Sequence, residues 1–144
     1  MTQSTPQGQT LHATAVSFDG KAALIRGPSG SGKSGLGLQL IALGASLISD
    51  DRTQITQNDG GLMVHAPDHL CGLIEARGVG ILAAPTVPRA RLNLIVDLTK
   101  PEDKRLPQWH EDILMGCVVP VVRKTDAAHF PAAVMLYLKH GRIE

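Results

Sequence analysis

The residues with the clearest chemistry in this chain are Gly27-Pro28-Ser29-Gly30-Ser31-Gly32-Lys33-Ser34. They match the Walker A pattern G-x-x-x-x-G-K-[ST] in full. They also lie between a short apolar run and a helical pattern, the context that the motif requires. Gly30 and Gly32 allow the backbone to curl so that successive N–H groups aim at phosphate oxygens, and the dipole of the following helix adds positive potential there. Lys33 supplies an ammonium for the outer phosphates, and Ser34 a hydroxyl for Mg²⁺. The stretch reads as a cradle for nucleotide phosphates. It specifies neither the nucleotide nor the phosphoryl acceptor.

Phosphoryl transfer also needs carboxylates, and two apolar runs end in them: Leu47-Ile48-Ser49-Asp50-Asp51 and Leu92-Asn93-Leu94-Ile95-Val96-Asp97. Either can serve as a Walker B strand, whose carboxylate orders the Mg²⁺ shell. Adjacent aspartates in an extended segment point to opposite sides, so one can face a metal while the other faces an incoming hydroxyl as its base. A third cluster, Glu75-Ala76-Arg77-Gly78-Val79-Gly80, places a carboxylate and a guanidinium on one glycine-rich loop. That is a donor set for a metal and a phosphate, and equally an exposed ion pair before a turn. Of the six histidines, only His12 is singled out by its place before the first strand. His65, His69, His110, His129 and His140 lack metal-ligand spacing and read as surface or capping residues.

Composition narrows the field. Apolar residues make up 43% of the 144, enough for one packed domain, while aromatics are only 3%, too few for a base-stacking platform. Lys+Arg 14 against Asp+Glu 13 leaves a net charge of +1, which argues against a nucleic-acid-binding face. Cys71 and Cys117 fit neither a disulfide framework nor a zinc site, and read as small buried hydrophobes. No apolar stretch approaches the roughly 20 residues of a membrane span, and Met1 to Thr10 lacks the apolar core of a secretory signal. The expectation is a cytoplasmic protein with a loose polar tail over residues 1–10 and one domain over residues 11–144.

The elements that must position these groups follow from the pattern. Leu11 to Phe18 and Ala22 to Ile25 read as strands joined at Asp19-Gly20, the second leading into the phosphate loop. Leu36, Leu38, Leu40, Ile41 and Leu43 suit a buried helix that Gly44 ends. Ala45 to Ser49 is a strand, and Thr53 to Gln57 with Leu62 to His65 makes a hairpin around Asn58-Asp59-Gly60-Gly61. His69 to Glu75 is expected to form one or two helical turns. Ile81 to Ala84 and Leu92 to Val96 are further strands, and Pro101 to Gln108 an exposed loop. Val118 to Val122 is a last strand, with Pro120 suited to an edge or bulge. Ala127 to His140 is a closing helix, capped near Asp126 and with Pro131 in its first turn. The fold class is α/β: a P-loop-containing mixed sheet with flanking helices and hairpins.

Taken in order, Leu11-His12-Ala13-Thr14-Ala15-Val16, the phosphate loop, Leu47-Ile48-Ser49-Asp50-Asp51-Arg52 and Ile74-Glu75-Ala76-Arg77-Gly78-Val79-Gly80-Ile81 resemble the C-terminal catalytic domain of HPr kinase/phosphorylase. The likeness runs from about His12 to Ile81 and then thins. The resemblance implies a regulator of the bacterial phosphotransferase system that phosphorylates a serine of the phosphocarrier protein HPr. ATP or pyrophosphate would be the donor, and phosphorolysis the reverse reaction. By the same resemblance Asp51 would exchange the serine proton and Lys33 would stabilise the transferring group. Ser34 and Glu75 would hold Mg²⁺, His12 would sit against the phosphate site as a further catalytic residue, and the family's arginine would be Arg105. The family also forms hexamers through this domain, and short forms like this one are similar to those of α-proteobacteria.

Two departures stand out: the family's N-terminal domain is not represented, and its Pro-Val-x-Pro-Gly-Arg-Asn segment, tied to dephosphorylation, appears only as Pro120-Val121-Val122-Arg123-Lys124-Thr125. Other readings of the loop remain open at this level: a small-molecule P-loop phosphotransferase, or a non-catalytic, nucleotide-gated binding module.

Overall fold

A computed structural model describes residues 8–67 and 72–144. The chain runs through β1 (Gly8–Leu11), β2 (Ala13–Phe18), β3 (Lys21–Arg26), α1 (Lys33–Ala42), β4 (Ser46–Ser49), β5 (Thr53–Asn58) and β6 (Gly61–His65). It continues through β7 (Leu73–Ala76), β8 (Gly80–Ala83), β9 (Arg89–Pro101), β10 (His110–Leu114), β11 (Cys117–Lys124) and α2 (Phe130–His140). The main sheet has the order β1-β5-β6-β9-β3-β2-β4 and mixes parallel with antiparallel pairs, as expected for the α/β class. β7 and β8 form a separate two-stranded arm.

The long strand β9 is where the sheet forks. Along one edge it pairs parallel with β3. Its other edge is shared, with residues 89–91 bonded to β6 and the later residues to β11. The register slips between Ala22 and Ala23, where β9 advances from Leu92 to Leu94. A one-residue slip reverses which face each side chain takes. Accordingly, Ala90 and Leu92 pack in one core cluster, and Leu94, Val96 and Leu98 in the other. β3 needs no such correction: Ala23 and Ile25 face the helices, Ala22 and Leu24 the opposite cluster, and all four are fully buried. A strand buried on both faces reads as the continuous apolar run seen in the sequence.

Both helices lie against one face, where α1 gives Leu36 and Leu40 and α2 gives Phe130, Val134, Met135 and Leu138. The β7–β8 arm is pinned to the same cluster by Ile74, and its return segment bonds β4 through Leu47 N–H to Pro85 O and Val87 N–H to Leu47 O. β4 runs parallel to β3, with β2 between them and antiparallel to both, so strand, phosphate loop, helix and strand form the expected βαβ unit.

Several expectations are corrected. Residues 73–76 are strand rather than helix, because Leu73 and Glu75 alternate outward against buried Ile74 and Ala76, and the ladder to β8 takes up their backbone groups. Residues 68–71, with His69 and Cys71, lie outside the described residues. Gly8–Thr10, assigned to the polar tail, already pair with β5. α2 begins at Phe130 with His129 at the N-cap instead of Asp126, because Pro131 occupies the first turn, where its missing N–H costs nothing. β10 was not foreseen: its turn to β11 is Met115-Gly116, with Met115 left-handed at φ 50, a residue that carries no turn signal. Pro120 faces Glu111 of β10, one residue before the pairing of β11 with β9 begins.

Helix α1 crosses β2 so closely that a Cβ on Gly37 would lie 2.9 Å from Thr14 Cγ2, whereas one on Gly35 would meet nothing within 4 Å. Overpacking costs about 1–3 kcal/mol, against roughly 1 kcal/mol gained in helix propensity. Gly37→Ala is therefore expected to lower the urea midpoint, while Gly35→Ala leaves it unchanged or raises it. A Gly37→Ala midpoint at or above that of the parent would contradict this packing.

Candidate functional site

The phosphate loop leaves β3 and turns into α1 at Gly32, whose left-handed conformation (φ 96) no β-carbon tolerates cheaply. No side chain caps this helix start and no acidic residue lies in its first turn, so its first N–H groups are left open to a ligand. Lys33 is only 8% exposed, and its Nζ donates to the loop's own carbonyls, Gly27 O at 2.8 Å and Pro28 O at 3.2 Å. Among the described residues it forms no ion pair. A near-buried ammonium facing only neutral dipoles, beside an uncapped helix start, suits an incoming anion.

Asp50 ties this loop to the rest of the site. Its Oδ1 accepts from Ser34 Oγ at 2.7 Å and from Thr14 Oγ1 at 2.9 Å, while Oδ2 accepts the Glu75 backbone N–H at 3.2 Å. One carboxylate thus joins α1, β2 and the β7–β8 arm. Immediately after it the chain makes a tight turn, in which Ser49 Oγ bonds Arg52 O and the Arg52 N–H bonds Asp50 O at 2.8 Å. Asp51 at its apex is left-handed, with φ 70. The two aspartates do diverge, but through this turn and not through strand alternation. Asp51 is exposed, and its Oδ1 lies 3.5 Å from His12 Nδ1.

Lys33, Ser34, Asp51, Glu75 and Arg77 line one open cleft of about 530 Å³. The sequence-derived set is therefore brought together with two qualifications: His12 touches Asp51 without lining the cleft, and Arg105 sits on the exposed loop 102–109, away from it. Among the described residues, no three His, Cys, Asp or Glu side chains converge as a metal cage. The Ser34 hydroxyl with the Asp50 and Glu75 carboxylates is nevertheless the hard-oxygen set that Mg²⁺ uses when substrate phosphates complete its shell. The residues present thus fit both a nucleotide's phosphates and the ion.

Asp97, the other Walker B candidate, is occupied elsewhere. It bonds Arg26 Nε at 3.0 Å, and Arg26 also pairs with Asp112 at 2.7 Å. Burial raises the Asp97 carboxyl, but the Thr99 hydroxyl and N–H together with the Arg26 guanidinium outweigh it and hold the group below the usual carboxylate range. His110, read as a surface or capping residue, is half-buried, with Nε2 3.0 Å from Glu102 Oε1 at the base of loop 102–109. The residues that sequence reasoning missed are Thr14, a polar side chain inside a strand, and Asp50 as the hub, whose signals were its place at the end of an apolar strand and its pairing with Asp51.

Residues 3–113 match the family described as HPr Serine kinase C-terminal domain. The chain belongs to that family. The HPr kinase/phosphorylase of Bordetella pertussis is 34% identical over 145 residues, covering 92% of this chain and 44% of the relative. That of Limosilactobacillus reuteri is 38% identical over 127 residues, covering 79% and 40%. The chain thus spans less than half the length of these relatives. A solved structure, the Hpr(Ser) kinase/phosphatase from Coxiella burnetii, superposes with a TM-score of 0.78 at 28% identity, covering 91% of this chain and 88% of that one. No helix among the described residues is long and apolar enough to cross a membrane.

Two outcomes follow for stability. Replacing Asp50 by Ala strands three donors and is expected to cost about 1–3 kcal/mol, whereas Asp51→Asn, at an exposed side chain and with a residue type that tolerates the left-handed turn, should stay within about 0.5 kcal/mol of the parent; urea melts measure both. The depressed Asp97 carboxyl contributes stability that is complete above the unfolded carboxylate range and is lost as pH falls through its folded value. The stability gap between the parent and Asp97→Asn should hold steady from neutral pH down to about 5 and shrink below about 4. A gap that widened in acid would contradict the ion pair.

Proposed function

We propose that this chain is an ATP-dependent serine kinase acting on the phosphocarrier protein HPr, in the cytoplasm and as part of phosphotransferase-system regulation. The observation that carries the reading is the placement of an exposed carboxylate, Asp51, in the same cleft as Lys33 and Ser34. Family membership supports the choice of a protein serine as acceptor.

In this reading Lys33 exchanges its loop carbonyls for phosphate oxygens, and the N–H groups of the α1 start take the remaining charge. Mg²⁺, held by Ser34, Asp50 and Glu75, would neutralise charge on the outer phosphates. Asp51 accepts the serine proton as its oxygen approaches the terminal phosphorus, and His12 orients that carboxylate from 3.5 Å. Arg77, at the tip of the β7–β8 arm, lines the same cleft and adds positive charge to its wall. Arg105 lies on the exposed loop 102–109, outside the cleft. The phosphorolytic direction has less support. The segment that the family resemblance ties to it runs here as β11, and Arg123 lines a different recess, shared with Asp97 and Arg26. A homo-oligomer, by resemblance a hexamer, is part of the same proposal.

The test is transfer of γ-labelled phosphate from ATP to purified HPr in the presence of Mg²⁺. The parent labels a serine of HPr. Asp51→Asn is expected to bind ATP normally and lose at least about 10²-fold in transfer rate, while Lys33→Ala loses binding as well. Label appearing on a metabolite in place of HPr, or full transfer by Asp51→Asn, would remove the assignment.

A further inference from the structure

The two possible donors, a nucleoside triphosphate and an inorganic polyphosphate, differ only in what lies beyond the phosphates, so the neighbourhood of the loop decides between them. A second recess of about 300 Å³ adjoins the phosphate cleft and shares Gly32, Gly35 and Gln39 with it. Its floor and walls are apolar: Leu36 of α1, Leu98 of β9, and Phe130 and Pro131 of α2. Its rim is polar, with Gln39, Lys124, Thr125 and Asp126. Ser31, on the loop side, has a buried hydroxyl with no hydrogen-bond partner.

The direction matters as much as the composition. Asp50 reaches the phosphate loop from the β2–β4 side of β3, and Leu98 and the Thr125–Ala127 turn approach from the β9–β11 side. A phosphate chain laid over the loop, with its metal-bound end toward Asp50 and Glu75, therefore directs its other end into this recess. A flat ring fits there because its faces lose water against Leu98, Phe130 and Pro131, while its edge meets a carboxylate and an amide. The Asp126 carboxylate is an acceptor only, and thus suits the amino group or ring N–H of a base. An inorganic polyphosphate would leave the apolar walls unused, and the Lys124 and Asp126 charges at the rim offset one another.

We infer that this recess seats the nucleotide base, so that the chain selects a nucleoside triphosphate over inorganic polyphosphate. The inference rests on the reading of the phosphate loop as a nucleotide site. In that role Phe130, Pro131 and Asp126 determine specificity without touching the transferring phosphoryl group.

Calorimetric titration of the whole chain with Mg-ATP and, separately, Mg-tripolyphosphate tests it. The parent is expected to bind ATP about tenfold more tightly. Ala127→Trp, which fills the recess from a loop position, should bring ATP down to the level of tripolyphosphate while tripolyphosphate affinity stays constant. Asp126→Ala, at an exposed side chain, should narrow the gap, and circular dichroism confirms that both variants are folded. Equal affinities in the parent would overturn the inference, and so would a gap that survives both variants. Loss of both ligands in Ala127→Trp, with the gap intact in Asp126→Ala, would overturn it as well. If neither ligand binds the parent, the phosphate-loop reading itself fails and the base seat falls with it.

Discussion

The Asp50 carboxylate accepts hydrogen bonds from Ser34, Thr14 and the backbone of Glu75, and through them α1, β2 and the β7–β8 arm are held in one arrangement. Each donor comes from an element with its own attachment to the core. Leu36 and Leu40 anchor α1, Ile74 anchors the arm, and β2 lies between β3 and β4 in the sheet. The carboxylate thus does not create the fold; it sets the register between parts that apolar packing alone would leave free to slide. Hydrogen bonds to a charged acceptor have the directionality for that task.

Fixing Asp50 in this way frees Asp51. The turn closed by Ser49 and Arg52 puts the second carboxylate into a left-handed conformation at the cleft, next to His12. Two chemically identical neighbours thereby have different surroundings, one tied to three donors and the other exposed at the cleft. The cradle opposite them is kept electrically incomplete. Lys33 is nearly buried with only carbonyl partners, and the helix start has neither cap nor acidic residue. An anion seated there would satisfy both features at once.

The sheet makes this compatible with a small chain. Because β9 forks, bonding β6 early and β11 late, one strand supports both the hairpin beside its start and the β10–β11 ribbon beside the phosphate loop. The bulge at Asn93 lets its apolar residues serve both cores in turn. The Arg26–Asp97–Asp112 cluster then ties β3, just before Gly27, to β9 and β10 on the face away from the helices. Asp97 is thereby engaged at the base of the loop, away from the cleft that Lys33 and Ser34 line.

What the residues determined on their own was local. The phosphate loop follows from glycine spacing and a lysine; β3, α1 and the Asp19-Gly20 and Asp59-Gly60 hairpins follow from period and turn chemistry, because each depends only on neighbours in the chain. Membership of the HPr serine kinase family was legible for the same reason, in short motifs read in order. Tertiary structure decided the rest. It chose Asp50 over Asp97 as the loop's partner, because both end apolar strands and only sheet order distinguishes them. It made residues 73–76 a strand, because their ladder partner β8 supplies what local propensity does not. It left Arg105 outside the cleft and placed Phe130 and Pro131 beside it, since which distant side chains share a pocket depends on how the elements pack, and no spacing along the chain encodes that.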